Sequence, residues 1–133
     1  MEIRYVSVEV ALAIHATVLD LTKGTLGVRD MGALLGCLER PKTSIGGANM
    51  FPTLFSKAAA VTESVARNHP FIDGNKRTSY LIGVELLARN GYDLAPERGA
   101  IERFMLWVVT EKPPIEENAA WFEKNSKKAE PTI

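Results

Sequence analysis

The position of Pro70, directly after His69, constrains the architecture of this chain more than any other residue. Proline has no backbone N–H and its ring clashes with the preceding helical turn, so a helix has to end here. Gly74 and Asn75 follow, and these residue types adopt turn and left-handed conformations most readily. Residues 80–88 are almost entirely apolar and predict a second helix. The sequence therefore predicts two helices joined by a tight loop.

That loop, His69-Pro-Phe-Ile-Asp-Gly-Asn-Lys-Arg77, concentrates side chains suited to phosphate chemistry. His69 can accept a proton near neutral pH, which suits a base for a protein hydroxyl. Asp73 offers a hard oxygen ligand for Mg²⁺. Lys76 provides a compact positive charge and Arg77 a planar fork for phosphate oxygens. Because backbone N–H groups at a loop-to-helix junction also favour anions, the segment indicates a phosphate pocket beside a base and a metal ligand.

The segment resembles the signature of the Fic/Doc family, His-x-Phe-x-(Asp/Glu)-Gly-Asn-x-Arg. The matching positions are His69, Phe71, Asp73, Gly74, Asn75 and Arg77. Four further segments resemble sequences of the Doc branch, namely residues 27–30, 40–41, 51–55 and 90–94. The variable position carries glycine in the AMP-transferring Fic branch. Here it is Lys76, as in the death-on-curing (Doc) toxins.

The resemblance implies an all-α fold, a six-helix Fic/Doc-type domain around a buried central helix with a small flap loop or hairpin. It also implies a role for each position of the motif. The catalytic residues would be His69, Asp73, Lys76 and Arg77, and the phosphate-binding residues Gly74, Asn75, Lys76 and Arg77. Asp73 would hold Mg²⁺, while Pro70 and Phe71 would be structural. Asn75 could hold the turn through its side chain or donate to a phosphate, and the sequence leaves both roles open.

The function implied by the resemblance is that of a toxin in a toxin–antitoxin module. Such a toxin transfers the γ-phosphate of ATP to a threonine or serine hydroxyl of a protein, with translation elongation factor Tu as the expected target, and so arrests translation. An antitoxin resembling the prevents-host-death protein would control it. Two alternatives remain, namely AMP transfer to a protein hydroxyl and a catalytically silent module that binds its antitoxin. A nucleic-acid-cleaving toxin is disfavoured, because the sequence has no basic stripe.

The loop at residues 43–50 precedes the helix that ends at His69, and it is the candidate docking element for the target. In the resembled family this segment is a flap that holds the target through backbone hydrogen bonds, a form of β-augmentation. Ile45 and Met50 could grip target side chains, and Gly46 and Gly47 would allow adjustment.

The resemblance implies one Fic/Doc-like domain at 1–123, and the polar C-terminal tail at 124–133 is expected to fray. Ser7, Asp30 and Thr53 are predicted N-terminal caps of the first three helices. Because residues 77–89 are apolar on nearly every face, the helix there is predicted to be the buried centre of the domain. Apolar spacing after it predicts a fifth and a sixth helix.

Bulk properties narrow the functional classes further. Sixteen basic residues balance sixteen acidic ones, so no surface for direct nucleic-acid or membrane binding is predicted. The single cysteine, Cys37, cannot form an internal disulfide, which fits a cytoplasmic protein. No secretory signal and no membrane span are visible. His15 lies in the apolar stripe of the first helix and is predicted to be a hydrogen-bonded core residue.

Overall fold

The computed structural model describes residues 2–130. They fold into six α-helices and two short two-stranded ribbons, joined by loops. The helices are α1 (Val8–Thr22), α2 (Met31–Glu39), α3 (Leu54–Asn68), α4 (Asn75–Arg89), α5 (Ala100–Glu111) and α6 (Ile115–Lys124). A 3₁₀ turn, Arg40–Lys42, follows α2. The antiparallel ribbons pair β1 (Ser44–Ile45) with β2 (Ala48–Asn49) and β3 (Tyr92–Leu94) with β4 (Ser126–Lys128). The predicted mostly helical fold with a small hairpin is confirmed.

The three predicted N-terminal caps are all present. Ser7 Oγ accepts the Val10 N–H at 3.2 Å, and Asp30 Oδ1 accepts the Ala33 N–H at 3.0 Å. Thr53 forms a reciprocal capping box, because its hydroxyl and backbone N–H both bond to Ser56 at 3.0 Å. These local bonds fix where α1, α2 and α3 begin.

The buried centre of the domain is α3, and not the helix predicted over 77–89. Every residue from 56 to 66 is buried, whereas α4 keeps partly exposed positions along its length. The alanines at 58–60 let neighbouring helices approach closely, and two charged residues are satisfied inside. Lys57 Nζ donates to the Pro41 carbonyl at 3.2 Å, and Glu63 Oε1 lies 3.0 Å from Arg40 Nη1. Such internal pairing lets a polar-looking helix occupy the core.

Part of the C-terminal tail is ordered, in contrast to the expectation of fraying from residue 124. Ser126–Lys128 forms β4 against β3, and the ribbon is flanked by bonds from Ala95 N–H to Asn125 O (2.7 Å) and Ala129 N–H to Gly91 O (2.8 Å). Polar side chains do not prevent this pairing, because backbone groups make it. The last three residues of the predicted tail, 131–133, lie outside the described residues. No helix within 2–130 is long and apolar enough to cross a bilayer.

Tyr80 of α4 gives the fold a specific sensitivity to alkaline pH. Its phenol is buried, and this burial, with a smaller contribution from the Glu102 carboxylate, raises its pKa from 10.0 to about 12. A raised pKa means that the fold favours the protonated phenol. The stability that this preference contributes is therefore complete below pH 10 and is lost as the pH rises through about 12.

We expect Tyr80→Phe to weaken the loss of stability between these two pH values, because phenylalanine has no proton to lose. The measurement is the free energy of unfolding in urea at several pH values from 9 to 12 for both proteins. An equally steep decline in the variant would show that other groups set the alkaline limit.

Candidate active site

His69 lies at the C-terminal end of α3 in a left-handed conformation, with φ 48° and ψ 58°. Its backbone N–H donates to Val65 O at 3.3 Å, which closes the helix before Pro70 turns the chain away. Arg29 holds this end from outside, because its Nε donates to His69 O at 2.6 Å and its Nη2 to Asn68 O at 2.8 Å. A cation on the last carbonyls of a helix is favoured by the helix dipole. The His69 side chain itself is exposed.

The segment 27–30 runs alongside the loop and pairs with it through backbone hydrogen bonds. Val28 and Phe71 form an antiparallel bridge, and the Ile72 N–H donates to Gly27 O at 3.0 Å. Pro70 O accepts the N–H groups of residues 29 and 30 at 2.8 and 3.1 Å. The loop is therefore held on one side by a short extended segment. Periodicity gave no sign of this role, and the resemblance of 27–30 to Doc-branch sequences did not imply it either.

Phe71 and Asn75 fix the interior of the loop. The Phe71 ring is 1% exposed. Asn75 Oδ1 accepts the Phe71 N–H and its Nδ2 donates to Phe71 O, both at 3.0 Å. Of the two roles left open by the sequence, the Asn75 side chain therefore takes the one that holds the turn. Its contribution to anion binding would come from its backbone N–H at the start of α4.

The Asp73 carboxylate is held by two backbone donors at the surface of the loop. Oδ1 accepts the Gly74 N–H at 2.9 Å and Oδ2 accepts the Thr25 N–H at 3.2 Å. Each oxygen retains a further lone pair, so the group can still bind a cation. A side chain at Gly24 would collide with this carboxylate, and Gly74 has φ 74° with Leu19 packed beneath it. Both glycines are therefore required by the close packing of the loop on α1.

The first turn of α4 presents donors for an anion. Its first backbone bond runs from Thr78 N–H to Gly74 O at 3.0 Å, and no side chain caps the helix. The N–H groups of residues 75–77 therefore have no partner within the helix. Lys76 and Arg77 are exposed, and neither forms an ion pair with any residue of the described chain. Within residues 2–130, two cations without an ion pair thus lie beside three N–H groups without a partner in the helix.

The motif residues converge on one open cleft of about 540 Å³. Its lining comes from the end of α1, the loop and the start of α4, and comprises Val18, Thr22, Gly24, His69, Ile72, Asp73, Gly74, Asn75, Lys76 and Arg77. All six catalytic and phosphate-binding positions proposed from the sequence, five polar residues and Gly74, lie in it. The two predicted structural residues, Pro70 and Phe71, are buried behind it.

The predicted flap is a hairpin that does not line this cleft. Gly46 and Gly47 form the turn between β1 and β2, with φ values of 57° and 82° and open space around both. Positive φ at both turn positions is the geometry that favours glycine in a two-residue hairpin. Ile45 and Met50 are 65% and 49% exposed. The hairpin is therefore available to another molecule.

The donor set at Asp73 fits a magnesium ion that is shared with a substrate. Within residues 2–130 no cluster of three or more His, Cys, Asp or Glu side chains could hold a metal ion by itself. Mg²⁺ commonly takes one or two carboxylates and completes its shell with phosphate oxygens and water. Asp73, beside the N–H groups at the start of α4 that have no partner within the helix, provides such a carboxylate.

Comparison with known proteins assigns the chain to a family. A model of the Fic/DOC family matches residues 5–87, which is more than half of the chain and contains the whole motif. The chain belongs to the Fic/Doc family. Fic/Doc proteins are transferases that use nucleotide substrates, and the cleft described above carries the family motif at its matching positions.

One curated relative is similar over part of the chain. Toxin Doc of Mycolicibacterium smegmatis (strain ATCC 700084 / mc(2)155) is 43% identical over 74 residues, which are 56% of this chain and 57% of the relative. The chain therefore matches little more than half the length of that Fic/Doc protein.

Proposed function

We propose that this protein transfers the γ-phosphate of ATP to a threonine or serine hydroxyl of a protein target, with Mg²⁺ as the metal. The observation that carries the proposal is the placement of Lys76. It lies in the first turn of α4, beside Arg77 and the free N–H groups, in the cleft that also contains His69 and Asp73. This arrangement offers positive charge for a polyphosphate at one end and a proton acceptor next to it.

The chemistry asks for alignment and charge neutralisation more than for covalent help from the protein. Asp73 would hold Mg²⁺, which would supply positive charge against the phosphate oxygens. His69 would accept the proton of the target hydroxyl as that oxygen attacks the γ-phosphorus and the bond to the leaving ADP breaks. Lys76, Arg77 and the N–H groups of residues 75–77 would stabilise the charge that develops on the phosphate oxygens.

Lys76 also supports phosphate transfer over AMP transfer. At this position the AMP-transferring branch has glycine, which leaves room for the phosphates of the nucleotide. A lysine fills that room and adds a charge, so the nucleotide is expected to bind the other way round with its γ-phosphate towards His69. AMP transfer remains the second candidate function, because the chain has every other residue of the Fic motif.

The partners follow from the proposed toxin function. The name Toxin Doc of the similar protein supports an antitoxin as a partner, and we propose one that resembles the prevents-host-death protein. Elongation factor Tu is the proposed target. The fully retained set His69, Asp73, Lys76 and Arg77 disfavours the silent antitoxin-binding module.

The experiment that tests this function is intact-mass analysis of elongation factor Tu after incubation with the protein, ATP and Mg²⁺. A gain of one phosphate supports the kinase and its target, and a gain of one AMP supports the second candidate. No change in mass, together with no heat of ATP binding in calorimetry, would make the silent module the better account. If ATP binds but this target is unchanged, the same analysis is applied to proteins of a cell lysate.

We expect Lys76→Gly to lower the rate of phosphate transfer by about 10-fold or more, because one charge-assisted phosphate contact is lost. Lys76→Met is the matched control, since it removes the charge but keeps most of the volume. Phosphate transfer should fall in both variants, whereas an AMP-modified product should arise only in Lys76→Gly. An unchanged rate and product in Lys76→Gly would contradict the assignment to phosphate transfer.

We also propose that the hairpin 44–49 holds the target segment by backbone pairing. Proline fixes φ near −65°, so Gly46→Pro with Gly47→Pro cannot keep the observed turn. The double variant should lose most target modification while it binds ATP as the wild type does, because the hairpin does not line the cleft. Mass spectrometry and calorimetry measure the two effects. Unchanged target modification would count against the docking role.

A further inference from the structure

His15 lies outside the motif but contacts two motif residues from the buried face of α1. Its side chain is 1% exposed, and its ring stacks on Phe71 with centroids 3.9 Å apart and planes 11° apart. Its Nε2 lies 2.9 Å from the backbone oxygen of Asp73. Because a carbonyl oxygen can only accept, Nε2 carries the hydrogen and donates it.

This hydrogen bond reaches the Asp73 carboxylate through one rigid unit. The carbonyl of Asp73 and the N–H of Gly74 belong to the same peptide plane, so they cannot rotate independently. The Gly74 N–H donates to Asp73 Oδ1 at 2.9 Å. A hydrogen bond that holds the Asp73 carbonyl therefore also fixes the direction of the Gly74 N–H. That N–H in turn orients the Asp73 carboxylate. The Thr25 N–H, which follows α1, holds the second oxygen.

We propose that His15 is a positioning residue that sets the orientation of the Asp73 carboxylate towards the bound metal. The role of Asp73 as metal ligand rests on the proposed function, whereas the orienting bond is a feature of the fold. The residue type suits both contacts, because an imidazole presents a flat face to Phe71 and an N–H at its far edge to Asp73. A histidine that only filled the core would affect stability and leave the metal requirement unchanged.

Two substitutions of His15 separate the ring from the donor. His15→Phe keeps a flat ring against Phe71 but has no N–H, whereas His15→Gln keeps a donor of similar reach without the ring. The first readout is the pair of backbone amide signals of Thr25 and Gly74 in ¹H–¹⁵N NMR spectra of the full chain. The second is the Mg²⁺ concentration that half-saturates binding of a non-hydrolysable ATP analogue, measured by calorimetry.

We expect His15→Phe to shift both amide signals and to raise the Mg²⁺ concentration required by about 10-fold or more, as loss of a partner that orients a metal ligand does. His15→Gln should stay within about 3-fold of the wild type, which is well below the roughly 10–100-fold effect of losing such a partner. Val108→Ala is the control, because Val108 is fully buried in α5 and lies in neither the cleft nor the motif. It tests whether a loss of core stability alone changes the metal requirement.

Unshifted amides and a wild-type Mg²⁺ requirement in His15→Phe would overturn the proposal, as would an equal increase in Val108→Ala. If the wild type itself binds no nucleotide with Mg²⁺, the proposed function fails, and the amide signals decide on His15. Shifts in His15→Phe that are absent in His15→Gln would still support the orienting bond.

Discussion

His69→Ala is expected to abolish phosphate transfer to the target while the helical fold remains. A positioned general base contributes roughly 10²–10⁴-fold to such reactions, and His69, which lines the cleft, is the proposed proton acceptor for a target hydroxyl. The side chain is exposed and makes no contribution to the core, so its removal leaves the packing of α3 intact. The measurement is the rate of phosphate incorporation into the target, with circular dichroism and thermal unfolding as tests of the fold.

The left-handed backbone of His69 calls for a second variant. Histidine adopts positive φ several-fold more often than alanine does, so His69→Ala carries a small cost in stability that has nothing to do with catalysis. His69→Asn avoids it, because asparagine adopts positive φ more readily. Asparagine has no basic nitrogen, so this variant should unfold like the wild type and still be inactive. Transfer at the wild-type rate in His69→Asn would remove His69 as the base.

Asp73→Ala is expected to remove both activity and its dependence on Mg²⁺. Charge stabilisation by a catalytic metal amounts to several kcal/mol, so loss of its protein ligand should lower the transfer rate by about 100-fold or more. The backbone donors of Thr25 and Gly74 lose their partner, but both lie at the surface where water can replace it. The measurement is the transfer rate at increasing Mg²⁺ concentrations.

Two controls separate metal binding from the bracing of the loop. Asp73→Asn keeps an oxygen for one of the two backbone donors but lacks the charge, so it should hold the loop better than Asp73→Ala and still lose the metal. Asp93→Ala changes an exposed carboxylate on β3, away from the cleft, and should have no effect on the rate. A wild-type rate and Mg²⁺ response in Asp73→Asn would show that the carboxylate does not hold the metal.

Much of the fold follows from short-range signals in the sequence. Ser7, Asp30 and Thr53 cap their helices through hydrogen bonds to residues three positions later. The residues that predict each cap are therefore the same residues that form it. Pro70 ends α3 for a reason contained in its own ring. The candidate site residues of the motif could be recognised from the sequence because their residue types are those that phosphate chemistry needs. These features depend on neighbours along the chain and hardly at all on the tertiary structure.

The sequence could not supply the partners that lie far away along the chain. Arg29 holds the end of α3 from 40 residues away and His15 holds Asp73 from 58 residues away, and neither pairing leaves a periodic signal. The burial of α3 was hidden because Lys57 and Glu63 look like surface residues until Pro41 and Arg40 are seen beside them. The strand at 126–128 was hidden because its pairing with β3 uses only the backbone.

The sequence by itself therefore determined the family, the mostly helical fold and the candidate residues that line the cleft. The tertiary structure decided how these residues are held: which helix is buried, which side of the loop is braced, and which atoms of Asp73 and Asn75 remain free for a ligand. The division has one physical cause. Residue chemistry and local hydrogen bonds are encoded within a few positions of the chain, whereas orientation and burial are set by contacts between segments that meet only when the chain has folded.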